Sequence, residues 1–161
     1  MTVNVAVNAD RPAHTADWGE RTGAALVDLA IAGFLLVFGI VAGAILVAVG
    51  GGWAIAGGVL LIVAGLLGAI LYAPLMMARQ GPANGQTIGK RAAKLRVVRD
   101  NGLPITFWLG MLREFVVKQF FGILVTGGLF WIVDAMWPLF DDHDRAVHDM
   151  VAETHVVKLS E

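Results

Sequence analysis

Residues 24–77 read AALVDLAIAGFLLVFGIVAGAILVAVGGGWAIAGGVLLIVAGLLGAILYAPLMM, with Asp28 as the single charge. The first apolar run, Ala24 to Val49, would be roughly 39 Å long as a helix at about 1.5 Å per residue. That exceeds the ~30 Å hydrocarbon core of a bilayer. The second run, Trp53 to Met77, carries no charge and is also long enough to cross. Gly50-Gly51-Gly52 between them is a break that no helix former would choose, so the pair predicts a transmembrane hairpin. Gly39-x-x-x-Gly43 in the first run, and Ala64-x-x-x-Gly68 and Gly65-x-x-x-Ala69 in the second, are spacings that let helix backbones approach closely.

Composition agrees with lipid as the solvent. The chain of 161 residues is 57% hydrophobic and 16% charged, with a mean hydropathy of +0.71. Soluble domains sit near 45–50% apolar and about 25% charged. The net charge of −1 gives no reason to expect nucleic acid, and the absence of cysteine excludes disulfides, thiolate metal sites and cysteine nucleophiles. The first twenty residues are polar and acidic, with Arg11 as their only basic residue, unlike the basic start of a signal peptide. The first run therefore predicts a retained span, over about 22–49 after a polar tail 1–20, with the second span over about 53–77.

From Ala78 to Arg113 the chain turns basic. Arg79, Lys90, Arg91, Lys94, Arg96, Arg99 and Arg113 stand against one acid, Asp100, which places the loop 78–104 and the N-terminus in the cytoplasm by the positive-inside rule. Lys90, Arg91 and Lys94 are the candidate contacts to anionic lipid headgroups. Thr87 can cap a short helix over Ile88–Lys94. Leu95–Arg99 reads as a strand closed by the turn signal Asp100-Asn101-Gly102, and Pro104 suits the first turn of the next helix. The third apolar segment, about 105–140, is broken at Gly127-Gly128 into pieces each shorter than a ~20-residue span. A re-entrant or tilted pair there would return the C-terminus to the cytoplasm. An acidic tail, 141–161, ends in a strand-like Thr154–Leu159, which predicts a two-stranded ribbon with Leu95–Arg99, since neither strand is stable alone.

Four pieces in order resemble the RDD family of membrane proteins: Arg21-Thr-Gly-Ala-Ala-Leu-Val-Asp28; Gln86-Thr-Ile-Gly-Lys-Arg with Leu95-Arg-Val-Val and Asn101-Gly; Leu112-Arg113; and Arg145-Ala-Val-His-Asp149 with Thr154-His-Val-Val. The resemblance implies that Arg21 and Asp28 are the family's arginine and first aspartate. Asp149 is the choice for the second, with Asp134 as the other candidate. It also implies an association with transport, and for some members with cation/proton antiport.

Asp28 is the sharpest residue. A carboxylate about two turns inside a membrane helix costs roughly 2.5–3.5 kcal/mol and calls for a partner. Arg21 leans away from it toward the helix N-terminus, so the expected partners are Arg113, Lys118 or a residue of the basic loop. The functional reading is a protonatable or cation-binding group; the structural one is a buried ion pair that fixes packing. Arg21 can instead snorkel to headgroups, Lys118 can pair with Glu114 and Asp149 with Arg145 at i, i+4, and Asp134 fits an interface beside Trp131 and Trp137. Gly85–Arg91 fails as a phosphate loop, because Asn84 stands at the first glycine and Arg91 follows Lys90. Asp141, Asp142, His143, Asp144 and His148 match no metal-site spacing and read as a solvated tail.

The expectation is an all-α membrane bundle of one domain with a small cytoplasmic ribbon, non-enzymatic, without cofactor or metal. It would move a proton or small cation through a homo-oligomer. The alternative is an accessory or assembly subunit of a larger membrane complex.

Overall fold

The computed structural model describes residues 15–159, with the side chains at 119, 121 and 123–125 outside the description. Of the predicted polar tail, residues 1–14 lie outside the described residues. Helix α1 runs Trp18–Val49 and α2 Gly52–Met77. The first begins four residues before the expected boundary, because the Asp17 side chain accepts from the Glu20 N–H at 2.8 Å and caps a polar first turn. Gly50 and Gly51 make the turn in the left-handed region, at φ of 79° and 86°.

The two helices touch through glycine. A Cβ on Gly39 would lie 2.6 Å from the Gly65 Cα, and one on Gly43 would lie 2.5 Å from the Gly58 carbonyl oxygen. The small-residue face of α1 is the one read from the sequence. On α2 the contact instead uses Ala54, Gly58 and Gly65, all buried. Ala64 is exposed and Gly68 makes only ordinary contact with Leu35. Only Gly65 of the expected pairs is at the seam, because adjacent i, i+4 ridges cannot both face one partner.

The loop folds back on the end of this hairpin. Asn84 pins it, donating to the carbonyls of Met77, Arg79 and Ile105 and accepting from the Ile105 N–H. Helix α3, Ile88–Ala92, is capped by Thr87 as expected. Strands β1, Leu95–Arg99, and β2, Thr154–Lys158, pair antiparallel with Leu95 opposite Lys158 and Arg99 opposite Thr154. Thr15 adds an isolated bridge to Val157. Ala16, Ala24, Met77, Leu95, Val97, Ile105 and Val156 form a small core under the ribbon.

The third apolar segment starts later than predicted. Pro104 precedes the helix, and α4, Phe107–Met111, is capped by the Thr106 hydroxyl. It continues as a π-helical segment, Leu112–Val125. Gly127 and Gly128, at φ of 61° and 97°, then turn the chain, as the break predicts. Helix α5, Leu129–Met136, packs back on the π segment, with Trp131 against Gly122. Eight residues rise about 12 Å, too little to cross a bilayer. The chain then reaches α6, Val147–Val151, and β2, so the segment ends at the ribbon from which it left.

Candidate functional site

A buried charge network fills the space where α1, α3, the π segment, α5 and α6 meet. At its centre Asp149 is fully buried. Its Oδ1 accepts from Arg113 Nε at 3.0 Å, Arg113 Nη2 at 2.5 Å and the Thr154 hydroxyl at 3.3 Å. Its Oδ2 accepts from Arg21 Nη1 at 3.2 Å and the Ala146 N–H at 3.3 Å. Arg21 also donates to the carbonyls of Ala16 and Val156, so its lean toward the helix start carries it to the C-terminal tail. Arg113 is buried at 1% exposure. Such an ion has to be both paired and hydrogen-bonded, and the bidentate fork to Asp149 supplies that.

His148 joins the cluster through its ring. Arg113 Nη2 lies 3.0 Å from Nε2, and Asp134 Oδ2 lies 2.6 Å from Nδ1. A guanidinium can only donate, so Nε2 accepts and Nδ1 carries the proton toward Asp134. Asp134 also accepts the His148 N–H at 2.8 Å. Burial, and then the surrounding cations Lys118 and Arg113, hold His148 well below its ordinary value. In the unfolded chain the group titrates near 6.5 and binds the proton that the folded state refuses. Its contribution to stability is therefore present above about pH 6.5 and lost as pH falls below it. Thermal unfolding in detergent should show a lower midpoint at pH 5 than at pH 7.5, with a smaller difference in His148→Gln.

The second half surrounds Asp28. Its Oδ1 accepts from the Tyr72 hydroxyl and the Gly89 N–H, each at 2.8 Å, and its Oδ2 accepts from the Thr87 hydroxyl at 2.5 Å. Lys90 Nζ stands 3.8 Å from Asp28 Oδ2 and equally 3.8 Å from Glu114 Oε1. Glu114 in turn takes Lys118 at 3.0 Å and Arg113 at 3.3 Å. Charges thus run without a gap from Asp28 through Lys90, Glu114 and Arg113 to Asp149 and Arg21. Burial pushes the Lys90 ammonium below its ordinary value, opposed first by Glu114.

Of the expected partners for Asp28, the structure selects the basic loop. Arg113 goes to Asp149, and Lys118 to Glu114 as its i, i+4 spacing suggests. Asp149 does not pair with Arg145, because Arg145 precedes α6 and lacks helical geometry; its backbone and side chain donate to Asp141. Asp134 is buried against His148 rather than placed at an interface, although Trp131 and Trp137 are exposed. His148 belongs to the buried cluster, whereas His143 and Asp142 are exposed and Asp141 and Asp144 half-buried. Among the headgroup candidates Arg91 and Lys94 are exposed, whereas Lys90 turns inward. Tyr72, Thr87, Gly89 and Glu114 complete the site without any distinctive spacing between them. Thr87 and Gly89 do fall inside the Gln86–Arg91 piece quoted above.

Comparison with curated proteins and with solved structures returns no match. A family model described as the RDD family matches residues 15–153, which include every charged residue of the network. The two long apolar helices and this match fit a membrane protein. With most of its length covered, the chain belongs to the RDD family.

Proposed function

We propose that the protein spans the cytoplasmic membrane, with its basic loop, ribbon and both termini in the cytoplasm, and moves a proton or small cation through a homo-oligomer by way of Asp28. The observation that carries this reading is the placement of Asp28. Its carboxylate borders a cavity of about 360 Å³ together with Lys90, Glu114, Lys118 and Tyr72, at the head of the apolar stretch of α1. An ionisable group at membrane depth that faces a cavity points to a pathway. Lys90 stands equally far from Asp28 and Glu114, so it can remain with Glu114 while a cation takes its place at Asp28.

Insertion is supported by what the long helices leave uncovered. Only 11% of the most apolar stretch of α1 and 17% of that of α2 is buried. Phe34, Phe38, Ile45 and Leu60 are each more than half exposed. A core helix of a soluble protein would bury such residues. The seven basic residues from Ala78 to Arg113 support a cytoplasmic loop.

Asp28→Asn tests the reading. The amide oxygen still accepts from Gly89 and Tyr72, so the protein should insert and run as a single species in detergent. Proton-coupled cation flux in reconstituted vesicles should fall to background. Should the wild-type protein show no pH-dependent flux, transport is lost as a function. Co-purification with other subunits would then put the accessory role in its place.

A further inference from the structure

Two cavities adjoin in the molecule. The one beside Asp28 is joined by another of about 230 Å³, bordered by Arg21, Arg113, Asp134, His148 and Asp149. Five residues line both: Ala25, Leu29, Lys90, Lys118 and Trp131. The lysines therefore stand at the junction.

The junction is rich in donors. Each ammonium carries three N–H groups and no acceptor. Among the described residues, Lys118 Nζ donates to Glu114. The nearest carboxylate oxygens to Lys90 Nζ are at 3.8 Å, beyond hydrogen-bonding distance. The Lys90 side chain is only 12% exposed, so bulk water has little access to it. The neighbouring carboxylates are already engaged, Asp28 with three donors. What the junction lacks is an oxygen acceptor. In the smaller cavity Arg21, Lys90, Arg113 and Lys118 face Asp134 and Asp149, and Asp28 and Glu114 in the larger one bring the joined space to four charges of each sign, so the demand for an oxyanion is local to the two ammonium groups at the junction.

The wall below the junction is apolar. Leu29, Ala32 and Leu36 of α1 face Leu66, Ala69 and Ile70 of α2 across the larger cavity. The alanines keep the space open, and the hairpin of the third apolar segment adds Phe115 and Trp131 to its lining. An oxyanion set above a hydrocarbon slot has the shape of one end of a lipid.

We propose that the joined cavities hold one anionic phospholipid, its phosphodiester at the Lys90 and Lys118 ammonium groups and an acyl chain along the apolar wall. The site is an open-sided cleft lined by both lysines and is distinct from headgroup contact at the exposed Arg91. It rests on the membrane reading but not on ion transport by Asp28. A protein without flux can still hold the lipid, and a protein with flux can lack it.

The test is native mass spectrometry of the full chain in mild detergent, titrated with phosphatidylglycerol or phosphatidylcholine. One phosphatidylglycerol should be retained about tenfold more tightly than phosphatidylcholine, whose quaternary ammonium would face the cavity's cations. Lys118→Gln should weaken that binding about tenfold, in line with loss of a charge-assisted hydrogen bond. Arg91→Gln, outside both cavities, should leave it unchanged. Should Lys118→Gln fail to fold, Ala69→Phe fills the slot instead and should abolish retention. Equal retention of the two lipids would overturn the proposal. So would equal losses in Arg91→Gln and Lys118→Gln, which would mark surface headgroup contact. Displacement by inorganic phosphate alone would overturn it too, marking a site for a free anion.

Discussion

Arg113→Ala is expected to destabilise the protein by about 3–5 kcal/mol, the range for removing one partner of a buried ion pair. Against a total stability of roughly 5–15 kcal/mol, this is a large share of what holds the fold. The guanidinium is 1% exposed and bridges Asp149, His148 and Glu114, so its loss takes a donor from three acceptors at once. Arg113→Lys should recover only part of this, because an ammonium keeps the charge but cannot reproduce the bidentate fork. Asp149→Ala should cost as much as Arg113→Ala. The double variant should cost less than the sum of the two by about 0.5–3 kcal/mol, the coupling of groups in one network. Unfolding in mixed micelles with increasing denaturing detergent measures all four. Single-variant losses below about 1 kcal/mol would mean that the network is not closed in the native protein.

Gly89→Ala should have the second largest effect, although the change adds a single methyl group. A Cβ there would lie 2.1 Å from the Ala24 carbonyl oxygen and 2.9 Å from the Asp28 carboxyl carbon. Backbone atoms cannot swing aside, so α3 must lift off α1. The Gly89 N–H then leaves Asp28, and Lys90 moves out of reach of both carboxylates. Overpacking of this kind costs roughly 1–3 kcal/mol, and the Asp28 site is lost with it. Gly33→Ala on α1 is the control, since nothing lies within 4 Å of its added Cβ. It should be neutral or gain up to about 1 kcal/mol from helix propensity. Equal behaviour of the two variants would refute the close approach of α3 to α1.

The parts of this architecture written locally in the chain are legible in its sequence. The apolar runs, the triple glycine, the Thr87 cap, the Gly127-Gly128 break and the two Val-Val strands each depend on neighbours within a few positions. Pairing of β1 with β2 follows because neither strand is stable alone. The ionic partners are a different matter. Asp28 and Gly89 are 61 positions apart, and Arg21 and Asp149 are 128 apart. A charge in a sequence says that it needs a partner and not which one. The i, i+4 rule succeeds for Glu114 and Lys118, inside a helical segment, and fails for Arg145 and Asp149, where the helix has not yet begun. The Asp134–His148 contact joins an apolar stretch to an acidic tail, and composition alone assigns those to different surroundings. On α2 the seam between the long helices follows Ala54, Gly58 and Gly65, a choice set by the partner's ridge and invisible in either helix by itself.

The reach of the Arg21–Asp149 bond has a consequence for synthesis. At ~5–20 residues per second, the 128 positions between them take roughly 6–26 s to translate. Throughout that interval the first helix carries a cation whose carboxylate does not yet exist, and Trp18 waits for the Ala135 carbonyl that its indole N–H will meet. The start of α1 is thus made before the elements it packs against and is among the last parts completed. A ribosome that stops short of residue 149 releases a chain with both long helices and an open cationic end. Finished and unfinished copies then differ in whether Arg21 has its carboxylate.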